Sequence, residues 1–197
     1  MQSWPTKITD LISVETHFHR AGIKCFSKRP SDLNTMVQEA VARNPNGEAL
    51  VCDRLRLTYQ QMDEHVTAAA CGLVRAGISK GERVALLLAN GPEFLIVLLA
   101  ALRIGAIAVP INVREQTPEF TEILNDCGAA VLFHDADIGE KLPAPETLPM
   151  IRQRFSVGGP TVGSQGYETL AVTDTALAAI TVDEEDTAVI LYTSGTT

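Results

Sequence analysis

The chain has 197 residues, of which 46% are hydrophobic and 20% are charged, and its formal net charge is −8. This balance is typical of a folded globular protein and excludes a largely disordered chain. Lys and Arg residues form no cluster in the sequence. Because nucleic-acid binding needs clustered cations to replace phosphate counterions, the composition argues against a nucleic-acid partner.

The cysteines and the most apolar stretch bear on the cellular compartment. The cysteines are widely spaced and form no Cys-x-x-Cys motif, which predicts reduced thiols rather than a disulfide framework, a zinc site or a redox site: Cys25, Cys52, Cys71 and Cys127. Residues 84–111 are strongly apolar, but Asn90, Pro92 and Arg103 interrupt them, and a bilayer span needs about 20 nearly uninterrupted apolar residues. Since the start also lacks a signal-peptide pattern, we expect a cytoplasmic protein without a transmembrane segment.

The first part of the chain divides into an arm and the beginning of a domain. Residues 1–30 show no clear periodicity and predict an irregular N-terminal arm, which precedes an α/β domain over residues 31–197. Ser31 or Asp32 is expected to cap a helix that ends at Asn44, before a proline. The apolar positions of this helix recur at helical spacing: Leu33, Val37, Ala40 and Val41.

A hairpin and a long helix are predicted next. Residues 49–57 are typical of two short strands that turn at Asp53. Thr58 and Gln61 have the spacing of a capping box, in which each side chain covers a backbone N–H of the other residue. Gly77 is expected just past the end of the helix, in the left-handed conformation. The apolar positions share one helix face: Met62, Val66, Ala69, Leu73 and Ala76.

The following stretch predicts a parallel crossover. Residues 84–89 are continuously apolar, as in a strand covered on both faces. Asn90 is expected to cap a helix that starts near Pro92, because proline fits the first turn. Gly105 ends this helix, and residues 106–111 form the returning strand. A strand, a helix and a second apolar strand indicate a right-handed crossover in a parallel sheet.

The last third mixes regular and irregular segments. Thr117 begins a helix with apolar Phe120, Ile123 and Leu124, ended by Gly128, and a strand follows over residues 129–133. Residues 135–166 contain four prolines and five glycines and predict an exposed connection. Two short elements are expected nearby, a strand within residues 150–157 and a short helix over residues 167–170.

The acidic residues 183–186 are expected to form a solvated loop that leads into a buried strand over residues 187–192. Directly after that strand, four of the five residues at 193–197 carry hydroxyl groups, and the fifth is Gly195. A polyphosphate site needs backbone N–H groups and hydroxyls that converge on one point, and small residues allow the close approach. The position also suits a ligand site, beyond the carboxyl end of a strand in an α/β sheet. From the residues alone, a Ser/Thr-rich loop without a ligand remains the alternative.

The sequence from Tyr192 to the end resembles the start of the signature loop of the adenylate-forming superfamily, which contains acyl-CoA synthetases, peptide-synthetase adenylation domains and firefly-type luciferases. Three upstream stretches match in the same order, so that the resemblance covers residue 30 onwards: Leu57-Thr58-Tyr59, Gly81-Glu82-Arg83-Val84-Ala85, and Arg103-Ile104-Gly105-Ala106 with Val109-Pro110-Ile111-Asn112.

The resemblance implies a fold and a reaction. The fold is α/β, a mostly parallel sheet with flanking helices that forms an incomplete N-terminal part of the family's large domain. The reaction joins a small-molecule carboxylate to ATP with Mg²⁺, releases pyrophosphate, and passes the acyl group of the acyl-adenylate to CoA. By position, the loop residues would contact the departing β- and γ-phosphates: Thr193, Ser194, Gly195, Thr196 and Thr197. We assign no catalytic or metal-binding residue, since the family's positions for these roles come after residue 197.

The lead-in, with His19-Arg20-Ala21-Gly22 and Arg29-Pro30, is more similar to fatty-acyl or aryl acid-CoA ligases than to peptide-synthetase modules. In the family the loop continues through a Gly, a Pro and a Lys, so we expect a ligase cut inside its phosphate-binding loop and inactive by itself. Uncovered strands of such a piece predict that it is marginally stable, aggregation-prone or a homo-oligomer. The alternative is a non-catalytic remnant or partner-binding module that uses its unpaired sheet edge.

The histidines suggest no separate site. His17 and His19 lie two residues apart without a Cys-rich or acidic motif beside them in sequence, so a partly packed arm is favoured over a metal pair. His65 is expected to face solvent from its helix, and His134 is expected to follow a strand end. Gly158 and Gly159 lack the strand–helix context of a dinucleotide-binding motif.

Overall fold

In the computed structural model of the protein, which describes residues 11–171 and 177–193, the chain begins with an antiparallel hairpin of β1 (Ile12–His17) and β2 (Arg20–Phe26). The irregular arm expected over residues 1–30 is therefore wrong for this part. Phe18 and His19 form the two-residue loop, both with positive φ (51° and 59°). Hairpin turns of this shape usually contain Asn or Gly, so these two residues gave no turn signal in the sequence.

The next elements are those expected from sequence. α1 (Leu33–Arg43) is capped by Asp32, whose carboxylate accepts a 2.8 Å hydrogen bond from the Thr35 N–H. β3 (Glu48–Cys52) and β4 (Leu55–Thr58) form the predicted hairpin, which turns at Asp53 with a φ of 49°.

α2 (Tyr59–Arg75) begins with the predicted capping box. The Gln61 N–H donates to Thr58 Oγ1 at 3.2 Å, and the Thr58 N–H donates to Gln61 Oε1 at 3.0 Å. Four of the five predicted face positions are buried and Ala76 is half-buried. Gly72 lies on the same helix where a Cβ would stand 1.9 Å from the Leu170 carbonyl oxygen, so this contact requires glycine.

A five-stranded parallel sheet forms the centre of the molecule, in the order β6-β5-β7-β8-β9. The elements that build it are β5 (Arg83–Leu87), α3 (Pro92–Arg103), β6 (Ile107–Pro110), α4 (Thr117–Asp126), β7 (Ala129–Asp135), β8 (Gln153–Val157) and β9 (Gln165–Gly166). The crossover from β5 to β6 is parallel, as predicted. Asn90 does not cap α3: the cap is Gly91, without a side-chain hydrogen bond, and Pro92 opens the helix.

The connection after β7 is more ordered than its composition indicates. It contains the predicted strand near residues 150–157 as β8, and 3-10 helices at Ala136–Lys141, Pro145–Thr147 and Tyr167–Thr169. Phe155 of β8 is buried and stacks on Phe133 of β7, with ring centroids 5.1 Å apart. The expectation of a wholly exposed connection is wrong because β7 offers a free edge and an aromatic surface, which the prolines and glycines do not reveal.

Helices cover the two faces of the sheet. Alternate residues of β5 point to opposite sides: Val84 and Leu86 pack in the cluster with α2 and α3, whereas Ala85 and Leu87 pack in the cluster with α4. The strand is continuously apolar in sequence because both of its faces are buried, as expected for a parallel sheet. Within residues 11–171 and 177–193, no helix combines the length and apolar character needed to cross a bilayer.

Candidate functional site

Residues 187–193 run beside β6 at one edge of the sheet. Val189 bridges Ala108 in parallel, the Ala108 N–H donates to the Ala188 carbonyl at 3.0 Å, and the Ile190 N–H donates to the Ala108 carbonyl at 3.0 Å. These residues are half-buried or exposed, and they form one bridge rather than a strand. The predicted buried strand is therefore wrong in burial and extent, because β6 supports the segment on one side only.

The parallel direction carries the segment to the carboxyl edge of the sheet. Tyr192 and Thr193, both exposed, line a cleft of about 510 Å³ together with Pro110, the last residue of β6, and Asn112, which follows that strand. Among the predicted loop residues, Thr193 thus lies at the edge where α/β sheets bind ligands. Ser194, Gly195, Thr196 and Thr197 lie outside the described residues.

One wall of this cleft is acidic. It includes carboxylates from α4 and the turn before it: Glu115, Glu119, Glu122 and Asp126. The Tyr192 hydroxyl donates a short hydrogen bond to the Asp126 carboxylate. Partial desolvation of the hydroxyl at this contact, together with the hydrogen bond to the carboxylate, raises the pKa of Tyr192 well above its ordinary value, so the phenol stays protonated and keeps the segment attached to α4.

Three of the four carboxylates already have partners in the wall. Glu119 accepts from the Gln116 N–H at 3.2 Å, Glu115 accepts from the Asn112 side chain at 3.3 Å, and Asp126 accepts from Tyr192. A magnesium ion needs several free oxygen ligands in near-octahedral geometry. We therefore assign none of these residues to Mg²⁺.

The acidic turn at residues 183–186 is held by cations from distant parts of the chain. Lys80 Nζ lies 2.6 Å from Asp186 Oδ2 and donates to the Thr181 carbonyl at 2.9 Å. Arg29 pairs with Glu184, and the Phe18 N–H donates to Glu185 Oε1 at 2.8 Å. The turn is exposed, as expected of a solvated loop, but ion pairs fix its position just before the segment that leads to Thr193.

The carboxyl edge also contains polar groups that the sequence did not single out. Asp135 Oδ2 accepts a 2.7 Å hydrogen bond from the Ala89 N–H and so joins the ends of β7 and β5. His134 lies inside β7 rather than after it and is fully buried, with Nε2 2.8 Å from Ser164 Oγ and Nδ1 2.8 Å from the Asp135 carbonyl oxygen. Burial lowers the pKa of His134, which keeps the ring neutral near pH 7. No periodicity marks such a residue, since its neighbours in the strand are apolar.

Comparisons with known proteins agree with this geometry. The family model described as AMP-binding enzyme matches residues 37–197. A long-chain-fatty-acid–CoA ligase of Mycobacterium tuberculosis is 33% identical over 172 residues, covering 84% of this chain and 33% of the relative. A fatty acid–[acyl-carrier-protein] ligase of Streptomyces coeruleorubidus is 33% identical over 132 residues, covering 63% of this chain and 25% of the relative.

Among solved structures, the anthranilate CoA ligase AuaEII in complex with anthranoyl-AMP aligns with a TM-score of 0.80 and 26% identity, over 87% of this chain and 34% of that one. The chain thus spans about a third of the length of such relatives or less. The sheet, its flanking helices and the matched sequence agree with the resemblance found at residues 57–59, 81–85 and 103–112. The chain belongs to the AMP-binding enzyme family.

Proposed function

We propose that the whole protein is an ATP-dependent ligase that activates a carboxylate as its acyl-adenylate, with release of pyrophosphate. The observation that supports the proposal is the parallel bridge between Val189 and Ala108, after which Thr193, the first of the hydroxyl-rich residues, lines the cleft at the carboxyl edge of the sheet. The family match extends over the same residues. The relatives named above are ligases of which this chain covers a third or less.

In this proposal, residues 193–197 hold the departing β- and γ-phosphates. Attack of a carboxylate on the α-phosphate brings negative charges together, so groups that stabilise the outgoing pyrophosphate lower the barrier. Hydroxyls of Thr193, Ser194, Thr196 and Thr197 and the backbone around Gly195 are donors suited to phosphate oxygens. The residues that orient the carboxylate belong, by family position, beyond this stretch.

The acidic wall next to Thr193 has a consequence for nucleotide binding. Carboxylates of α4 repel an unaccompanied triphosphate, since like charges at short distance raise the free energy of the complex. ATP therefore enters as its Mg²⁺ complex, which lowers the charge that approaches this wall. The metal would supply charge neutralisation, and we assign none of the described residues as its ligand.

The names of the relatives support a proposal for the chemical class of the acid and of its acceptor, but not for the individual compounds. We propose a fatty or aryl acid as substrate and CoA as the thiol acceptor, with a carrier-protein thiol as the alternative that the Streptomyces relative favours. The free thiol of Cys25 suits the reducing cytoplasm, where we place the ligase.

The test is carboxylate-dependent exchange of labelled pyrophosphate into ATP. In a chain completed to the length of its relatives, Thr193→Ala combined with Thr196→Ala is expected to lower the exchange rate by roughly 10²- to 10³-fold, the effect of losing donors at a developing charge. Thr187→Ala, an exposed threonine on the same segment, is the matched control and should change the rate less than twofold.

The 197-residue chain is expected to show no exchange, because the family's catalytic positions lie elsewhere. Exchange by this chain alone, or an equal loss in the Thr187 variant, would contradict the assignment of the loop. A completed chain without exchange for any fatty or aryl acid would favour a binding module that uses the sheet edge beside Val189.

A further inference from the structure

The inner face of the β1–β2 hairpin gathers three side chains of different metal-binding chemistry. Glu15 and His17 alternate along β1 and share a face, and Cys25 of β2 pairs with Ser13 and lies on the same side. One carboxylate oxygen, one imidazole nitrogen and the Cys25 sulfur all lie within 4.8 Å of one another. All three residues are half-buried, between the hairpin and the acidic turn.

We propose that Glu15, His17 and Cys25 form a binding site for a thiophilic divalent cation, and that the bound ion is Zn²⁺. Thiolate and imidazole together favour zinc and similar transition metals, whereas Mg²⁺ and Ca²⁺ require oxygen ligands. The site is separate from the cleft at Thr193 and independent of the ligase activity proposed above.

The three ligand atoms lie near the separations expected around a tetrahedral zinc ion. Bonds of about 2.0–2.3 Å to a tetrahedral Zn²⁺ place neighbouring ligand atoms about 3.3–3.8 Å apart. Glu15 Oε2 and His17 Nε2 are 2.9 Å apart, and the third ligand atom lies inside the same 4.8 Å limit. In the proposed site the half-buried side chains rotate to reach the metal geometry, and the strand pairing stays as it is.

Carboxylates and a hydroxyl group lie around two of the ligands. Histidine ligands commonly direct their second ring nitrogen at a carboxylate, which fixes the ring and raises its basicity. His17 Nδ1, the nitrogen turned away from Glu15, lies 3.8 Å from Glu184 Oε2 and 3.7 Å from Glu185 Oε1. The Ser13 hydroxyl donates to Glu15 Oε1, and the metal would take Oε2, which contacts His17 Nε2 and Arg29 Nη2 in the metal-free chain.

A cation already stands beside two of the ligand atoms. Arg29 Nη2 lies 2.7 Å from Glu15 Oε2 and 3.3 Å from His17 Nε2. When a metal takes these atoms, Arg29 keeps its contacts with Glu184 and with the Phe26 carbonyl oxygen. The local charge favours a second cation, because the Arg29 guanidinium pairs with the carboxylates of Glu15 and Glu184, and the Glu185 carboxylate lies 3.7 Å from His17 Nδ1.

The experiment is a titration of the reduced, metal-free 197-residue chain with Co²⁺, which replaces Zn²⁺ and reports its ligands by absorption. One equivalent is expected to give a thiolate-to-cobalt charge-transfer band and the visible bands of tetrahedral cobalt, and Zn²⁺ should displace it. Cys25→Ser should abolish the charge-transfer band, and His17→Ala should weaken binding at least tenfold. Arg29→Met should tighten binding several-fold, because it removes the competing cation.

Matched variants keep the assignment falsifiable. Cys52→Ser alters another half-buried thiol on a hairpin strand, and His19→Ala alters the exposed histidine two residues from His17, so both should bind Co²⁺ as the unmodified chain does. Circular dichroism checks that each variant folds. A band that persists without Cys25, that is lost equally without Cys52, or that never appears would overturn the site.

Discussion

The central strands and the segment at residues 187–193 are both apolar and both parallel to β6, but different forces hold them. β5 has strand partners on both edges and helices on both faces, and Leu86 and Leu87 are fully buried. The segment has a single bridge at Val189, and Leu191 is 70% exposed. Its position depends on ion pairs of the acidic turn before it and on Tyr192 after it. A similar sequence pattern therefore leads to different stability, decided by the number of neighbours.

The largest effect should come from the core side of this comparison. Phe133→Ala removes a fully buried ring that stacks on Phe155, and we expect unfolding free energy to fall by about 3–5 kcal/mol, from lost burial and a cavity. Urea denaturation measures the change, and Val162→Ala, at a fully exposed side chain, should alter stability by less than about 0.5 kcal/mol. If the two variants had the same unfolding free energy, the buried sheet would not be the main source of the protein's stability.

An intermediate effect is expected where helices meet. Arg103 on α3 donates to Asn34 Oδ1 at 3.0 Å and to Thr67 Oγ1 at 2.5 Å, and it pairs with Asp63. Its side chain is 8% exposed and that of Asp63 is 24% exposed. Because solvent reaches Asp63, Arg103→Met should cost about 2–3 kcal/mol in urea denaturation, below the cost of breaking a fully buried pair.

The exposed Arg75 on α2 is the matched control for that substitution. Arg75→Met should change the unfolding free energy by less than about 0.5 kcal/mol. If Arg103→Met were as mild as Arg75→Met, the joint between α1, α2 and α3 would rest on apolar contacts alone.

The smallest effect concerns the ion pairs of the acidic turn. Lys80 lowers the pKa of Asp186 and Arg29 lowers that of Glu184. A lowered carboxyl pKa contributes stability that is complete above the ordinary pKa and is lost as pH falls through the lowered folded value. Acidification should therefore release residues 187–193 while the core strands stay folded.

Amide hydrogen exchange measures this release. The protection factor of the Ile190 N–H, bonded to the Ala108 carbonyl, should fall as the pH drops below about 4, the ordinary range of carboxyl groups, whereas protection in β5 should not change. Lys80→Met and high salt should weaken the same amide at pH 7. Parallel loss of protection in β5 would mean that the two regions unfold together.

Local signals in the sequence were sufficient for many elements. The capping box at Thr58 and the Asp32 cap depend on residues within one helical turn, and the crossover from β5 to β6 is indicated by two apolar runs with a helix between them. The prediction of an irregular arm is wrong because the hairpin turn uses Phe18 and His19, which are not typical turn residues. In the later connection the strand β8 was predicted, but its burial was not, because that burial depends on the pairing with β7.

The candidate site was also predictable from the sequence only in part. The hydroxyls at residues 193–197 and their place after an apolar run were visible in the sequence, and the phosphate-binding role of these residues stays a prediction. That the Tyr192 hydroxyl reaches Asp126, and that Lys80 and Arg29 hold the acidic turn and Thr181 before it, could not be predicted, since these partners lie 66 to 155 positions apart.

The sequence by itself determined the family, the α/β class and most helix and strand positions, because capping, periodicity and apolar runs act between near neighbours. The tertiary structure alone decided which apolar strands are covered and which stand at an edge, and it brought Glu15, His17 and Cys25 together. The physical reason is that burial and charge pairing depend on distance in space, which strand order and crossovers set.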